Sequence, residues 1–295
     1  MRNFTALPSG FNGAGTAGTR TAVLAVLLVE LLISSLTSAQ TPHPEQTAAA
    51  QEKTAAAAPA PRHDITGTWE PAKAPGDGIQ PFGAKAMPND GKPEHQLPYT
   101  PLGLATYKSH KALDGVDAVL PGFDNDPRGK CEPLGFPRMD LSNLRQTQIL
   151  QNDYTVVILY ENLQVWRVIW TDGRELPKVV DEGVKVGKEV REPRYYGYSV
   201  GKWEGDSLVV DTVGFNDKGW LDGSGHPHSE ALKVQERYRR RDFGHMDVQV
   251  AIDDPKMYTR PFSIKYTLDL VPDSEIAEYV CVENEKDRNH LGKQQ

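Results

Sequence analysis

The sequence predicts an all-β domain in which an antiparallel meander closes into a β-barrel of about eight or nine strands. After residue 145, short runs of alternating apolar and polar side chains are separated by turn residues, a pattern typical of antiparallel strands. No helical stretch between these runs is long enough for the crossovers of a parallel α/β sheet. Closure removes the exposed edges of an open meander, so a barrel is favoured over the alternative, a β-sandwich.

Residues 1–39 have the pattern of a secretory signal peptide. Two arginines precede an apolar run over residues 21–33, and small residues follow it up to Ala39. The run is shorter than the roughly 20 residues that a membrane span needs, and Glu30 interrupts it. We therefore expect cleavage near Ala39, a periplasmic or secreted protein, and no membrane span after cleavage.

The rest of the chain divides by composition into three parts. Residues 40–62 are rich in Ala and Pro and carry almost no large apolar side chain, so we expect a disordered linker. Residues 63–285 have the apolar content of a single folded domain, and residues 286–295 form a polar tail. The sequence leaves the oligomeric state open.

A proline-rich segment precedes the strand region and is expected to wrap over the core. It begins with a short strand over residues 64–70, which Trp69 anchors. A helix is predicted over residues 98–111, because Thr100 and Pro101 supply an N-cap and a first-turn proline.

The strand region is predicted to form hairpins. Asn152-Asp153 and Asp172-Gly173 are turn pairs of the kind that connect antiparallel strands. The predicted strands cover residues 145–151, 154–161, 164–171, 195–203, 207–213, 229–240, 246–253, 261–270 and 276–283.

The chain has two cysteines, Cys131 and Cys281, and both lie in the part expected to be exported. An oxidising compartment lets thiols pair, so one disulfide is the simplest interpretation. Two free thiols or two metal ligands are the alternatives, but neither cysteine has a second cysteine at metal-binding spacing.

Composition and motifs narrow the range of partners and cofactors. The chain has a formal net charge of −7, so no basic surface for nucleic acid is expected. It contains no G-x-S-x-G element, P-loop, dinucleotide-binding fingerprint or H-E-x-x-H motif. We expect no cofactor and no assigned metal site, and a small-molecule ligand or substrate as the partner.

Three predicted strands each place a charged side chain on an apolar face. Alternation with a period of two puts Glu236, Arg167 and Asp211 among inward-facing apolar neighbours. For the predicted strand 164–171 the alternative is that the opposite face, which carries Trp166 and Trp170, points inward instead of the face of Arg167.

A charge on an inward face is costly unless it is paired. Arg167 with Glu236 or Asp211 is therefore either a buried structural ion pair or a site that polarises a ligand. As an enzyme, the protein would use Glu236, His228 or Asp211 as acid or base and Arg167 to stabilise a developing anion.

The segment from Gly225 to Glu230 is the densest polar cluster. His226 and His228 could share a metal, but a third ligand such as Glu230 or Asp222 is required and no recognised spacing is met. A solvated loop and a His228–Glu230 acid/base pair at the barrel mouth are the other interpretations.

Four tryptophans stand where a pocket could use them. Trp166, Trp170, Trp203 and Trp220 would suit a flat ring or a sugar face, with Glu230 as a polar contact. The alternative is that they belong to the core.

Two resemblances accompany these patterns. Gly67-Thr-Trp69 resembles the Gly-x-Trp of the first lipocalin strand, which implies a ligand-sized barrel. A second resemblance is carried by four segments and two further residues, which are Cys131–Arg138, Ile169–Arg174, Tyr196–Asp217 and Pro227–Glu230, with Glu236 and Arg237. With these, nearly the whole mature domain is similar to a family of uncharacterised exported proteins of soil bacteria, which implies export and a common fold but no catalytic residue.

The leading functional prediction is an exported β-barrel that binds a small molecule in its mouth. The second is a cofactor-independent lyase, isomerase or hydrolase. The third is an envelope scaffold without a ligand. Whether Arg167, Asp211 and Glu236 converge on a cavity or on a filled core discriminates between these functions.

Overall fold

The protein is described from a computed structural model. The structure describes residues 60–72, 79–80, 83–84, 96–141, 146–181, 183–279 and 281. The predicted signal peptide, nearly all of the predicted linker and the polar tail lie outside the described residues.

Fourteen β-strands are formed by the described residues. Their bounds are β1 Gly67–Pro71, β2 Ile79–Gln80, β3 Gly83–Ala84, β4 Thr147–Gln151, β5 Thr155–Tyr160, β6 Val165–Trp170, β7 Lys178–Val180, β8 Gly183–Val186, β9 Glu189–Arg191, β10 Tyr198–Glu204, β11 Ser207–Val213, β12 Lys233–Arg240, β13 His245–Asp253 and β14 Phe262–Leu270.

Nine of these strands close into a barrel, which confirms the predicted fold class. The order around the barrel is β1-β14-β13-β12-β11-β10-β6-β5-β4, and β4 pairs with β1 to complete the ring. Eight of the predicted strands correspond to β4, β5, β6 and β10 to β14, and the predicted Trp69 strand is β1. The β-sandwich alternative is wrong, because the sheet is continuous around the ring.

The barrel has one parallel seam, which the predicted antiparallel meander did not include. β6 and β10 pair in parallel through only two register pairs, Ser199 with Ile169 and Val200 with Trp170. All other pairs in the ring are antiparallel. The two seam strands therefore have a short common edge and diverge beyond it.

Residues 171–197 leave the barrel at this seam and form an arm. The arm contains a small antiparallel sheet in the order β7-β8-β9, which the sequence did not predict. Val184 of β8 is fully buried and anchors the arm. It packs at Gly214, where φ is +76° and an added Cβ would clash with Val184.

Among the described residues, two short α-helices lie between β3 and β4. Helix α1, Pro101–Ser109, begins as predicted, because the Thr100 side chain accepts a hydrogen bond from the Gly103 N–H. Helix α2, Arg138–Leu141, follows a turn-rich segment, and 3₁₀ turns occur at Pro121–Phe123, Pro127–Lys130 and Asn162–Gln164. None of the helices in the described part of the chain is long and apolar enough to cross a membrane.

Side chains fill the inside of the barrel. Every second residue of β13, from Met246 to Ile252, is buried, and the polar partners on the outer face alternate with them. The segment before and within α2 adds Leu134, Phe136 and Met139 to the same core. The barrel is therefore a packed structure, and its open spaces lie at one end and beside the seam.

The predicted disulfide is present between Cys131 and Cys281, which are 150 residues apart with a Cα–Cα distance of 5.9 Å. It joins the segment before α2 to the end of the described chain. The predicted strand over residues 276–283 is wrong for residues 276–279, which form no strand, and most of the remainder lies outside the described residues.

Candidate functional site

Arg167 and Glu236 meet inside the barrel. The two side chains are 2% and 0% exposed, and the guanidinium binds both carboxylate oxygens of Glu236, with Nη1 at 3.0 Å from Oε1. Arg167 also donates to the hydroxyls of Ser199 at 3.0 Å and Thr212 at 2.8 Å. Its guanidinium carbon lies 3.9 Å from the centre of the Phe136 ring. β6 therefore turns Arg167 inward, and the alternative with the tryptophans inward is wrong.

Burial and the ion pair with Glu236 shift the pKa of Arg167 in opposite directions. Burial alone would lower its pKa, but the charge and hydrogen bonds of Glu236 hold the pKa well above its ordinary value. The guanidinium thus stays charged. Four of the five guanidinium N–H groups already donate hydrogen bonds to protein side chains, so Arg167 has one N–H group left for another partner.

A carboxyl group from α2 extends this polar network. The Tyr238 hydroxyl binds Oε1 of Glu236 and lies 3.3 Å from Oδ2 of Asp140. The Tyr266 hydroxyl donates to the same Asp140 oxygen at 3.1 Å. Burial and the negative charge of Glu236 raise the pKa of Asp140 to about 6, although the Arg167 cation opposes them.

Next to this network, the buried hydroxyls of Tyr160 and Tyr196 make no hydrogen bond of ordinary geometry with a described residue. Their polar neighbours are Asp140 for Tyr160 and the backbone of Gly135 for Tyr196. The two rings stack with centroids 6.3 Å apart. Both hydroxyls therefore have a polar neighbour within the protein.

Tyr160 faces a small pocket at one end of the barrel, which we call the barrel-end pocket. It has a volume of about 30 Å³ and opens at the barrel rim. Polar and apolar side chains contribute to its wall, among them Asp140, Tyr160, Tyr238, Tyr266, Met139, Ile149, Ile158 and Leu268.

A much larger space, of about 1020 Å³, lies where β6 and β10 diverge under the arm, and we call it the seam cleft. Trp166 is 65% exposed and Trp170 is 37% exposed, and both line the cleft. Tyr196 and the buried Arg167 also line the cleft. The short seam therefore leaves an aromatic-lined opening beside the central ion pair.

Cationic side chains dominate the seam cleft. Arg174 binds Asp172 and lies 3.6 Å from the centre of the Trp170 ring, and Arg194 lies 4.3 Å from that of Tyr198. Of the described residues that line the cleft, six are cationic and two are acidic; these are Arg167, Arg174, Lys178, Lys185, Arg191 and Arg194, with Asp172 and Glu175. Glu236 and Glu189 pair with Arg167 and Arg191.

Lys178 and Lys185 stand directly opposite each other in the β7–β8 register. Neither forms an ion pair with a carboxylate of the described residues. Like charges at directly opposed positions of a sheet destabilise it unless a counter-charge lies between them.

The other two tryptophans lie elsewhere. Trp203 stacks on His63 with centroids 4.7 Å apart, and neither residue lines the cleft. Trp220 is buried and stacks on His110 at 4.6 Å. Of the four tryptophans predicted to form a platform, the structure therefore brings together Trp166 and Trp170.

Asp211 corrects the predicted inward face of β11. It lies opposite Gln235 in the β11–β12 register and accepts a hydrogen bond from that side chain at 2.8 Å on the outer surface. The inward face is the one that pairs Val210 with Glu236. The prediction was wrong because β11 is apolar on both faces, so alternation could not select the inner one.

The histidine cluster is buried instead of forming a solvated loop or an open mouth. His226 Nδ1 lies 2.6 Å from Asp222 Oδ2, and both side chains are inaccessible. Burial lowers the pKa of His228, while Glu230 is exposed at the surface. No group of three His, Cys, Asp or Glu side chains in the described part of the chain could hold a metal ion.

Glu236, His228 and Asp211 therefore lie in three separate places. Glu236 is in the barrel interior, His228 in the buried histidine cluster and Asp211 on the outer surface. This arrangement does not form the single acid/base centre considered from the sequence.

Sequence reasoning missed Asp140, Tyr160, Tyr196 and the two opposed lysines. Tyr160 continues the buried face of Val156 and Ile158 in β5, so alternation could have found it. Asp140 lies in a four-residue helix with no periodic pattern, and the arm strands are too short to show one.

Comparison of the chain with protein-family models, with curated proteins and with solved structures gives no match. What the site does is therefore argued from two features of its geometry, the cationic seam cleft and the polar network behind it.

Proposed function

We propose that this protein is an exported β-barrel that binds a small anionic molecule with a flat ring in the seam cleft. The observation that carries the proposal is the pair of exposed tryptophans, Trp166 and Trp170, in a concave and cationic cleft. Concave sites with aromatic walls and a few charged groups are the usual form of small-molecule sites.

The tryptophans support a ring-shaped ligand. Large aromatic side chains normally bury most of their surface, and Trp166 instead leaves 65% of its surface open beside a cavity. Arg174 already stacks on Trp170, which orders that indole and adds a cation next to it. A planar ligand would cover Trp166 in the same way.

The charges support an anionic ligand. The whole chain has a net charge of −7, whereas six of the described side chains that line the cleft are cationic. Three of them, Arg167, Arg174 and Arg191, are paired with carboxylates, and Lys178, Lys185 and Arg194 form no ion pair with a described carboxylate. Such a local reversal attracts anions to the cleft and away from the rest of the surface. A carboxylate or phosphate bound near Lys178 and Lys185 would also relieve their mutual repulsion.

Export is supported by the signal-peptide pattern of residues 1–39 and by the Cys131–Cys281 bond. Disulfides persist in oxidising compartments and are rare in reducing ones. A periplasmic or secreted binding protein is consistent with both features.

A fluorescence titration tests the proposal. Benzoate, phthalate and a nucleoside monophosphate serve as probes, with cyclohexanol as a neutral non-aromatic comparison. We expect an aromatic anion to quench tryptophan fluorescence saturably, and Trp166→Ala to weaken its binding about three- to tenfold.

The matched control is Phe243→Ala, which removes an aromatic side chain that is 48% exposed and lies outside the cleft. It should leave the affinity unchanged. Absence of saturable quenching by all three aromatic anions, or equal effects of Trp166→Ala and Phe243→Ala, would refute the proposed site.

A further inference from the structure

The edge of β6 that faces the seam cleft is only partly paired. β6 pairs with β5 along all six of its residues, but with β10 only at Ile169 and Trp170. The part of β6 before Ile169 therefore has a strand on one side and the cleft, which Trp166 and Val168 line, on the other. An edge of this kind presents backbone N–H and C=O groups to whatever lies beside it.

The register of β5 and β6 shows which backbone groups point into the cleft. The Thr171 N–H donates to the Tyr154 carbonyl at 2.8 Å, just beyond the paired residues of the two strands. In an antiparallel pair every second residue bonds to the neighbouring strand, so Thr171 and the alternate residues before it bond to β5. Trp166 belongs to the other set and directs its N–H and C=O to the seam. Neither group forms a hydrogen bond with a described residue.

A second backbone is the partner that matches both groups of Trp166. One residue of an extended chain beside β6 can accept a hydrogen bond from the Trp166 N–H and donate one to the Trp166 carbonyl. Residues that are paired in this way turn their side chains to the same face of the sheet. The side chain of that residue therefore lies next to the Trp166 indole, which is 65% exposed.

The cations of the arm select the charge of such a chain. Lys178, Lys185 and Arg194 line the cleft and form no ion pair with a described carboxylate. The arm lies on the outer face of β6, where Arg174 contacts the Trp170 ring. Side chains two positions apart in a strand share a face, so an acidic residue two positions from the one opposite Trp166 points to the side of the arm.

The size of the cleft also suits a peptide. Its volume of about 1020 Å³ lies at the upper end of the range of small-molecule sites, which is about 300–1,000 Å³. The barrel interior behind the edge is filled by side chains. A bound chain therefore needs small residues at the positions that point inward.

We infer that the seam cleft binds a short extended peptide that carries an aromatic residue and, two positions away, an acidic residue. The peptide adds a strand to the free edge of β6, its ring packs against Trp166 and its carboxylate binds Lys178 or Lys185. The inference rests on the proposed function, since the same tryptophan and the same cations hold the ligand, and it names the class of that ligand.

Calorimetric titration of the protein with matched peptides tests the inference. The parent peptide is acetyl-Asp-Ala-Phe-Ala-Asp-amide, which has an acid two positions from the ring in either direction of the chain. Two further peptides carry one backbone N-methyl group each, on the phenylalanine and on the alanine that follows it. Neighbouring N–H groups of an extended chain point in opposite directions, so only one of the two methyl groups faces β6.

We expect the parent peptide to bind. One N-methyl peptide should bind about fivefold or more weakly and the other like the parent, because only the first loses a hydrogen bond to Trp166. Lys178→Gln should weaken binding of the parent peptide about threefold, whereas Lys265→Gln, outside the cleft, should leave it unchanged. The charge-reversed peptide acetyl-Lys-Ala-Phe-Ala-Lys-amide should bind more weakly than the parent.

The inference is overturned if both N-methyl peptides bind like the parent, since the side chains alone then hold the ligand. Equal weakening by both methyl groups overturns it as well, because the effect then comes from the conformation of the peptide. Binding of benzoate or phthalate without binding of the parent peptide refutes the inference and leaves the proposed function intact. Absence of binding by the peptides and by the aromatic anions alike refutes both.

Discussion

Arg167 of β6 and Glu236 of β12 form an ion pair across the barrel interior, although β10 and β11 lie between their strands in the sheet. Arg167 also binds Ser199 of β10 and Thr212 of β11, so one side chain connects four strands. This connection lies beside the seam, where β6 and β10 share only two register pairs. Arg167 thus compensates for the short pairing of the parallel strands.

The first prediction concerns this pair. Arg167→Met or Glu236→Gln alone should lower the free energy of unfolding by about 3 to 5 kcal/mol. The first variant leaves the Glu236 carboxylate buried without its cation, and the second leaves the Arg167 cation buried without its carboxylate. The double variant should regain much of that loss. Urea denaturation of the parent, the two single variants and the double variant measures the interaction free energy between Arg167 and Glu236. Strictly additive losses of stability would contradict a buried ion pair.

The second prediction concerns the Cys131–Cys281 bond. Cys131→Ser with Cys281→Ser should lower the free energy of unfolding by about 2 to 5 kcal/mol, because the bond restricts a loop of 150 residues in the unfolded chain. Urea denaturation with and without dithiothreitol checks it, and the double variant should not respond to the reductant. Two titratable thiols in denatured protein from the exporting compartment would contradict the bond.

Much of the barrel could be predicted because its strands alternate clearly. β12 and β13 each bury every second side chain, so the inward position of Glu236 followed directly from the sequence. Arg167 was ambiguous, since Trp166 and Trp170 gave the opposite face an equal apolar content. Which face of β6 points inward depends on the partner of Arg167 across the barrel, Glu236. The sequence of a single strand does not contain that information.

Other parts were unpredictable for physical reasons. The arm strands have three or four residues and are mostly exposed, so no apolar period appears in them. Asp140 reaches the interior because the segment around α2 plugs the barrel end, which is a tertiary contact without a local signal. The buried histidine cluster looked like a loop because its residues are polar, but its partners Asp222 and Asp254 lie inside with it.

The third prediction concerns Lys178 and Lys185. Lys178→Gln should raise the free energy of unfolding by about 0.2 to 1 kcal/mol at low salt, because it removes one of two like charges at directly opposed positions. The gain should vanish at high salt. The same variant should weaken the binding of aromatic anions in the cleft.

Lys265→Gln is the matched control for that variant, since it removes an exposed lysine of β14 that lies opposite the neutral Gln249 and outside the cleft. It should change neither the anion affinity nor the salt dependence of stability in this way. If both variants behave alike, the effect belongs to the net charge and not to the opposed pair.

The fourth prediction concerns acid sensitivity. Burial lowers the pKa of His228 below its ordinary value of about 6.5, against the opposing effects of the Ser229 carbonyl and Asp254. Below that pH the unfolded chain binds the proton more readily, so stability should fall as the pH falls. His228→Gln should flatten the decrease between about pH 6.5 and 5. Urea midpoints measured across this range check it, and an unchanged slope would contradict a buried neutral imidazole.

The last prediction concerns Asp140, whose effect has the opposite sign. Burial and the charge of Glu236 raise its pKa to about 6, above the ordinary value of 3.8, so the native state holds a proton that the unfolded state releases between these values. The contribution of Asp140 to stability therefore declines as the pH rises from about 4 to 6 and stays unfavourable above.

Asp140→Asn should for that reason raise the free energy of unfolding near pH 7.5 by about 3 kcal/mol and leave it nearly unchanged near pH 4. Because His110 and His228 act in the reverse direction over an overlapping range, the informative quantity is the difference between the parent and the variant at each pH. Asp211→Asn, on the outer surface, should show no such pH-dependent difference. A difference that does not change between pH 4 and 7.5 would mean that Asp140 ionises at its ordinary pKa, and a raised pKa of Asp140 would then be excluded.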